Sequence, residues 1–150
     1  METLHIHNEL ELLLIVEKAL SLLKERSVES KASVLALSGT LGAGKTAFTK
    51  KLGEILGVQE VVTSPTFVVM KQYDTNTKEL FDFLVHIDAY RIEDEDEMRV
   101  LRFGELLQTP RTLICIEWAE RIQTLLPKDA VTLTLAVDCE NEEARICTFS

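Results

Sequence analysis

Long apolar runs are missing from this sequence. The longest, Leu12 to Val16, falls far short of the roughly 20 residues that a membrane span requires, and no secretory signal precedes the first predicted helix. These absences set the expectation of a soluble, cytoplasmic protein with no membrane partner. Cysteine is scarce. Cys115, Cys139 and Cys147 are odd in number and show neither CxxC nor His-paired spacing, so neither a disulfide framework nor a zinc site is expected. They read as reduced thiols, two of them on strands. Positive charge is also in short supply: 16 Lys and Arg against 25 Asp and Glu leave a net charge of −9. That balance argues against a protein that grips nucleic acid by itself, because phosphate backbones are bound by clusters of Lys and Arg. It also repels nucleotide anions at long range, so a nucleotide site here must rely on local donors, a lysine and a metal ion. Repeats, low-complexity stretches and linkers are absent as well. The 150 residues, 46% of them hydrophobic, therefore predict one domain over 1–150 around one core.

The elements follow from periodicity. Asn8 and Glu11 have the spacing of a helix-capping arrangement. From there to Arg26, Leu12, Leu13, Ile15, Val16, Ala19, Leu20, Leu22 and Leu23 recur at helical spacing and form one core-facing stripe. Ser33 to Ser38 is a short apolar run ending in glycine, and Lys45 to Leu56 is helix-like and stopped by Gly57. Phe67–Tyr73 and Leu80–Ile87 are β-prone, and the polar stretch between them is too short for a crossover helix, so they predict an antiparallel hairpin. Glu93–Leu107 predicts a helix, Thr112–Ile116 a buried strand, Ala119–Leu126 a short helix ended by Pro127, and Ala130–Val137 with Ala144–Phe149 two closing strands. The fold class expected is α/β, a mixed central sheet with helices on both faces and an antiparallel hairpin.

The chemistry begins at Gly39-Thr40-Leu41-Gly42-Ala43-Gly44-Lys45-Thr46. It matches GxxxxGK[ST], a pattern that average composition supplies by chance roughly once in a few hundred chains of this length. It also follows an apolar strand and opens a helix, the context in which the pattern has a physical meaning. Gly39, Gly42 and Gly44 let the backbone turn its N–H groups inward, and the helix N-terminus adds partial positive charge. Lys45 is placed to reach the β- and γ-phosphates of ATP or GTP, and the Thr46 hydroxyl to bind Mg2+.

A carboxylate at the end of a neighbouring strand should hold that ion, and two qualify. Asp88 closes Phe83–Ile87 and Glu117 closes Leu113–Ile116; spacing does not choose between them. Burying either without a cation or donors is costly. His86, Asp88, Tyr90 and Arg91 form a second polar cluster, in which His86 could orient water or contact a partner and Arg91 could supply a transition-state cation. Thr63-Ser64-Pro65-Thr66-Phe67 reads as a turn whose hydroxyls could sense the γ-phosphate.

Taken together, these segments resemble the TsaE (YjeE) family, the ATPase component of bacterial threonylcarbamoyladenosine synthesis on tRNA. Four signatures match in order: GTLGAGKT, Ser64-Pro65-Thr66-Phe67, His86-Ile87-Asp88-Ala89-Tyr90-Arg91 and Ile116-Glu117-Trp118-Ala119-Glu120. The resemblance spans nearly the whole chain and implies a P-loop NTPase fold with ATP and Mg2+ on the loop. It implies Thr46 and Glu117 as metal ligands, with Asp88 acting through water or on the catalytic side alongside Lys45, His86, Arg91 and Thr66. Nucleotide contacts are then expected from Gly39, Leu41, Gly42, Ala43, Gly44, Lys45, Thr46 and Ala47, from Trp118, and from Asn8, Glu9 and Arg145 at the two ends of the chain. Ala119 stands where the family often has proline, a departure that bears on the turn more than on the chemistry. The implied partners are TsaD and TsaB homologues, with tRNA reached only through them. ATP hydrolysis is expected to be weak without those partners.

Three other readings compete. A GTPase would need an Asn-Lys-x-Asp segment to read guanine, and Asn76-Thr77-Lys78-Glu79 has the wrong spacing. A small-molecule P-loop kinase needs an acceptor site and a mobile, often Arg-rich cover, whereas the chain between Phe67 and Gln108 offers a hairpin and one acidic helix. A nucleotide-dependent regulator of assembly, without significant turnover, is the third. The acidic run Glu93-Asp94-Glu95-Asp96-Glu97 reads as a solvated helix start, with a basic partner surface as the alternative.

Overall fold

Consecutive apolar residues in Val34-Leu35-Ala36-Leu37 require a strand covered on both faces, and the computed structural model, which describes residues 1–65, 69–77 and 79–150, shows how this is met. The strands are β1 (Glu2–Ile6), β2 (Ser33–Gly39), β3 (Met70–Asp74), β4 (Phe83–Asp88), β5 (Thr112–Glu117), β6 (Val131–Val137) and β7 (Arg145–Phe149). They form one mixed sheet in the order β1-β7-β6-β2-β5-β4-β3. Strand β2 is parallel to β5 and β6, and β4 is parallel to β5. The outer pairs β1/β7, β6/β7 and β3/β4 are antiparallel.

Leu35 and Leu37 face helices α1 (Glu9–Arg26) and α2 (Lys45–Ile55), packing with Ile15, Val16, Ala19, Phe48 and Leu52. Val34 and Ala36 face the other side, where Met98, Phe103 and Ile122 come from α3 (Glu97–Val100), α4 (Phe103–Leu107) and a 3-10 helix (Ala119–Leu125). The helices thus lie on both faces, as expected, and the α1 stripe buries Ile15, Val16, Ala19 and Leu23. Asn8 caps α1 by accepting from Glu11 N at 3.0 Å, and the Glu11 carboxylate accepts from His7 N in return.

The structure departs from the sequence expectation in several places. Strand β1 was not anticipated: it pairs along its whole length with β7, 145 residues away for Thr3 and Thr148, so its stability is non-local. The helix expected over 93–107 is two short helices, because the chain passes through a left-handed turn at Arg102 (φ 57°). The hairpin exists, but β4 starts at Phe83 rather than Leu80. Thr75 closes the intervening arm by bonding to Asp82 O and Phe81 O through its N–H and its hydroxyl. The first strand of that hairpin begins at Met70, and the expectation for Phe67 and Val68 falls outside the described residues. The segment after β5 is 3-10 rather than α-helical, entered through Trp118 in the left-handed region (φ 57°). Cys115 and Cys147 sit buried on strands, and Cys139 is exposed. Among the described residues, no helix is long and apolar enough to cross a membrane.

Candidate functional site

Parallel strands β2, β5 and β4 end side by side, and their C-terminal ends carry the polar residues of interest. Leu37 pairs with Glu117, and Glu117 with Asp88. Beyond β2 the chain turns through Gly39 (φ 141°), where a Cβ would meet Leu135 O at 2.2 Å, so the close approach of β6 admits only glycine. Gly42 (φ 79°) and Gly44 (φ 107°) carry the loop into the N-terminus of α2, an 11-residue helix with no side-chain cap. Its unpaired amides and dipole make this end favourable to an anion.

Lys45 is buried in spite of its charge, at 5% exposure. Its ammonium donates to Gly39 O at 2.6 Å and Thr40 O at 2.9 Å, and lies 3.9 Å from the centre of the Trp118 ring. Burial pulls its pKa below the usual lysine value, while Glu120, Glu117 and Asp88 act in the opposite direction. The Thr46 hydroxyl donates to Glu117 Oε1 at 2.9 Å, and Glu117 Oε2 meets His86 Nε2. Glu117 is 2% exposed and His86 fully enclosed, so the carboxylate is held in the interior between the Thr46 hydroxyl, which donates to it, and the imidazole. Asp88 is differently placed: half-buried, it accepts from Ser64 Oγ at 2.9 Å and from Tyr90 N at 3.0 Å. The Tyr90 and Trp118 rings pack 4.9 Å apart, and Arg121 lies over Tyr90 at 5.6 Å.

These groups surround a cavity of 390 Å³ bounded by Leu41, Lys45, Thr46, Ser64, Asp88 and Trp118, among others. A second cavity, of 270 Å³, lies across the loop and shares Gly44 and Ala47 with the first. Asn8, Glu9 and Arg145 line it together with Ala43, so the two ends of the chain do meet beside the glycine loop. Arg145 is held there by Glu142 O at 2.7 Å and Ala144 O at 3.0 Å, and reaches Gly42 O at 3.5 Å. Of the remaining sequence candidates, Arg91 is exposed and lines neither cavity, His86 lines neither because it is wholly enclosed, and Thr66 lies outside the described residues.

Among the described residues, no three or more His, Cys, Asp or Glu side chains converge as they would in a metal cage built by protein alone. Thr46 and Glu117, already in contact on this cavity, offer one hydroxyl and one carboxylate. That hard-oxygen pair suits a cation such as Mg2+, which keeps much of its shell for water and phosphate oxygens. Sequence reasoning had not singled out Leu135 and His7 in the second cavity, or Ser64 as the partner of Asp88. The Ser-Pro turn carried a signal for Ser64; nothing local marks Leu135 or His7.

Residues 7–146 match the family model described as "Threonylcarbamoyl adenosine biosynthesis protein TsaE". The chain is similar to the tRNA threonylcarbamoyladenosine biosynthesis protein TsaE of Streptomyces coelicolor, 41% identical over 122 residues, or 78% of each chain. It is similar also to that of Bacillus subtilis, 38% identical over 117 residues, 78% of this chain and 68% of the relative. The crystal structure of Bacillus subtilis YdiB matches with a TM-score of 0.68 at 28% identity, over 99% of this chain and 83% of that one.

Proposed function

The chain belongs to the TsaE family of threonylcarbamoyl adenosine biosynthesis proteins, and from that premise we propose that it is a P-loop ATPase. It binds ATP with Mg2+ on the loop after β2 and hydrolyses it in support of tRNA threonylcarbamoyladenosine modification. The observation that supports this reading best is the convergence of Lys45, the Thr46–Glu117 pair and the Ser64–Asp88 pair on one cavity at the N-terminus of α2. Each group has a part. The amides of the glycine loop and the helix end receive the phosphates, and Lys45 exchanges its two loop carbonyls for phosphate oxygens. Thr46 and Glu117 hold the ion, which when bound neutralises charge on the phosphate oxygens. Asp88, oriented by Ser64 and the Tyr90 amide, stays open to the cavity and aligns the attacking water. Trp118 and Tyr90 wall the site against solvent, and the cavity beside Asn8, Glu9 and Arg145 accepts the nucleoside.

The partners proposed are TsaD and TsaB homologues, and tRNA is contacted only through them. The net charge of −9 fits a protein that leaves the gripping of tRNA to others. The deciding experiment measures ATP binding by calorimetry and phosphate release with and without the two partners. Lys45→Ala should weaken ATP roughly 10- to 100-fold, the loss expected for hydrogen bonds to a charged group, with an unchanged circular dichroism spectrum. Unaltered binding in that variant would sink the site assignment. Failure of the partners to raise turnover or to form a complex at low salt would sink the proposed partnership.

A further inference from the structure

His86 is enclosed beside the site without reaching it. Among the described residues, its Nδ1 is the only buried side-chain nitrogen or oxygen that lacks a hydrogen-bond partner, while its Nε2 lies against Glu117 Oε2. The register explains the pairing. In the parallel pair β4/β5, His86 stands beside Cys115 and Asp88 beside Glu117, and alternate residues share a face. The Glu117 carboxylate can therefore present one oxygen to Thr46 on α2 and return the other over Cys115 toward the imidazole.

An ionised carboxylate only accepts, so the proton in that contact must sit on Nε2. In a neutral ring this leaves Nδ1 as a bare lone pair, which agrees with its having no partner: a buried acceptor left alone is better tolerated than a buried N–H. We propose that His86 is a positioning residue, fixed as the Nε2–H tautomer, which donates to Glu117 Oε2 and so aims Oε1 at Thr46 and the cation. The torsion that turns a glutamate carboxylate is broad, and without this donor Oε2 would be buried with nothing to hold it. His86 touches neither cavity, so its influence on the site passes through Glu117.

The proposal rests on the Mg2+ reading of Thr46 and Glu117, and its test separates the two. Mn2+ binding to the protein with a non-hydrolysable ATP analogue is followed by electron paramagnetic resonance, in the wild type, His86→Gln and His86→Asn. Glutamine places an amide donor near the position of Nε2; asparagine places it near Nδ1, out of reach of Glu117. Affinity for Mn2+ should be nearly preserved in H86Q and fall roughly 10- to 100-fold in H86N, the loss typical of removing a partner that orients a metal ligand. Binding of the analogue without metal should be the same in all three. Equal Mn2+ affinity in H86N and the wild type would overturn the proposal. Absence of Mn2+ binding in the wild type would instead remove the metal reading and this proposal with it. Nitrogen-15 NMR of the metal-free wild type gives a second readout that needs no variant to fold: the expected result is a proton on Nε2, and a neutral ring protonated on Nδ1 would overturn the tautomer and the role together.

Discussion

Asp88 and Glu117 look equivalent in the sequence, each an acid ending an apolar strand. What separates them is neighbours from elsewhere in the chain: Thr46 and His86 for Glu117, Ser64 and the Tyr90 amide for Asp88. Spacing along the chain carries no information about such partners, because α2 and β4 reach Glu117 through the fold. The motif residues were legible for the opposite reason: Gly39 to Thr46 form one continuous segment whose geometry is set locally. The three thiols show the same division at the residue scale. Strand position was readable for Cys115 and Cys147, but their burial is a tertiary property. It pushes the Cys115 thiol up to about 12 and the Cys147 thiol up to about 11 from an ordinary 9.0. Above pH 9 the unfolded chain loses both protons, while the folded chain keeps that of Cys115 and, until pH nears 11, that of Cys147. Stability should therefore be intact below pH 9 and fall above it, by up to about 1.4 kcal/mol per pH unit for Cys115 and by less for Cys147, whose shift is smaller. Urea melts at pH 8 and pH 10 should show the loss, and Cys115→Ala should reduce the slope. In native protein at pH 8 a thiol reagent should label Cys139 quickly and the other two only after unfolding.

Elements were legible where their stability is local and illegible where it is not. Helix α1 carries its own cap and stripe, and β2, α2 and β5 carry their own patterns, whereas β1 exists only through β7. The break at Arg102 and the turn into the 3-10 helix at Trp118 need positive φ at residues that rarely adopt it, which no periodicity announces. The loop between β2 and α2 allows a test at this scale, because its glycines are required for different reasons. Gly39 combines φ 141° with a backbone oxygen 2.2 Å from where a Cβ would stand; Gly42 has φ 79° and nothing within 4 Å. Gly42→Ala meets only the left-handed penalty, about 1–2 kcal/mol. Gly39→Ala must also separate β6 from β2, and should cost about 3 kcal/mol or more. Thermal melts of the two variants check this; equal losses would mean that the Leu135 contact yields freely.

At the scale of the whole molecule, the sheet order brings the ends of β2, β5 and β4 together and assembles one site from segments as far apart as Gly39 and Glu117. The two termini meet on the same side through Asn8 and Arg145. The chain as a whole carries a net charge of −9, and this and the local donors of the site have opposite effects on a nucleotide anion. The overall field repels it out to about a Debye length, while the loop amides and Lys45 attract it only at contact. Raising ionic strength from 0.01 M to 0.15 M shortens screening from about 30 Å to about 8 Å. The rate of ATP association should then rise severalfold, opposite to the slowing that salt causes for oppositely charged partners, while dissociation, governed by close contacts, changes little. Trp118 is the single tryptophan, with the Lys45 ammonium 3.9 Å from its ring, so stopped-flow fluorescence should follow the departure of Lys45 toward phosphate. An association rate that falls with salt would mean that the field at the mouth of the loop is positive despite the net charge, and that steering begins well before contact.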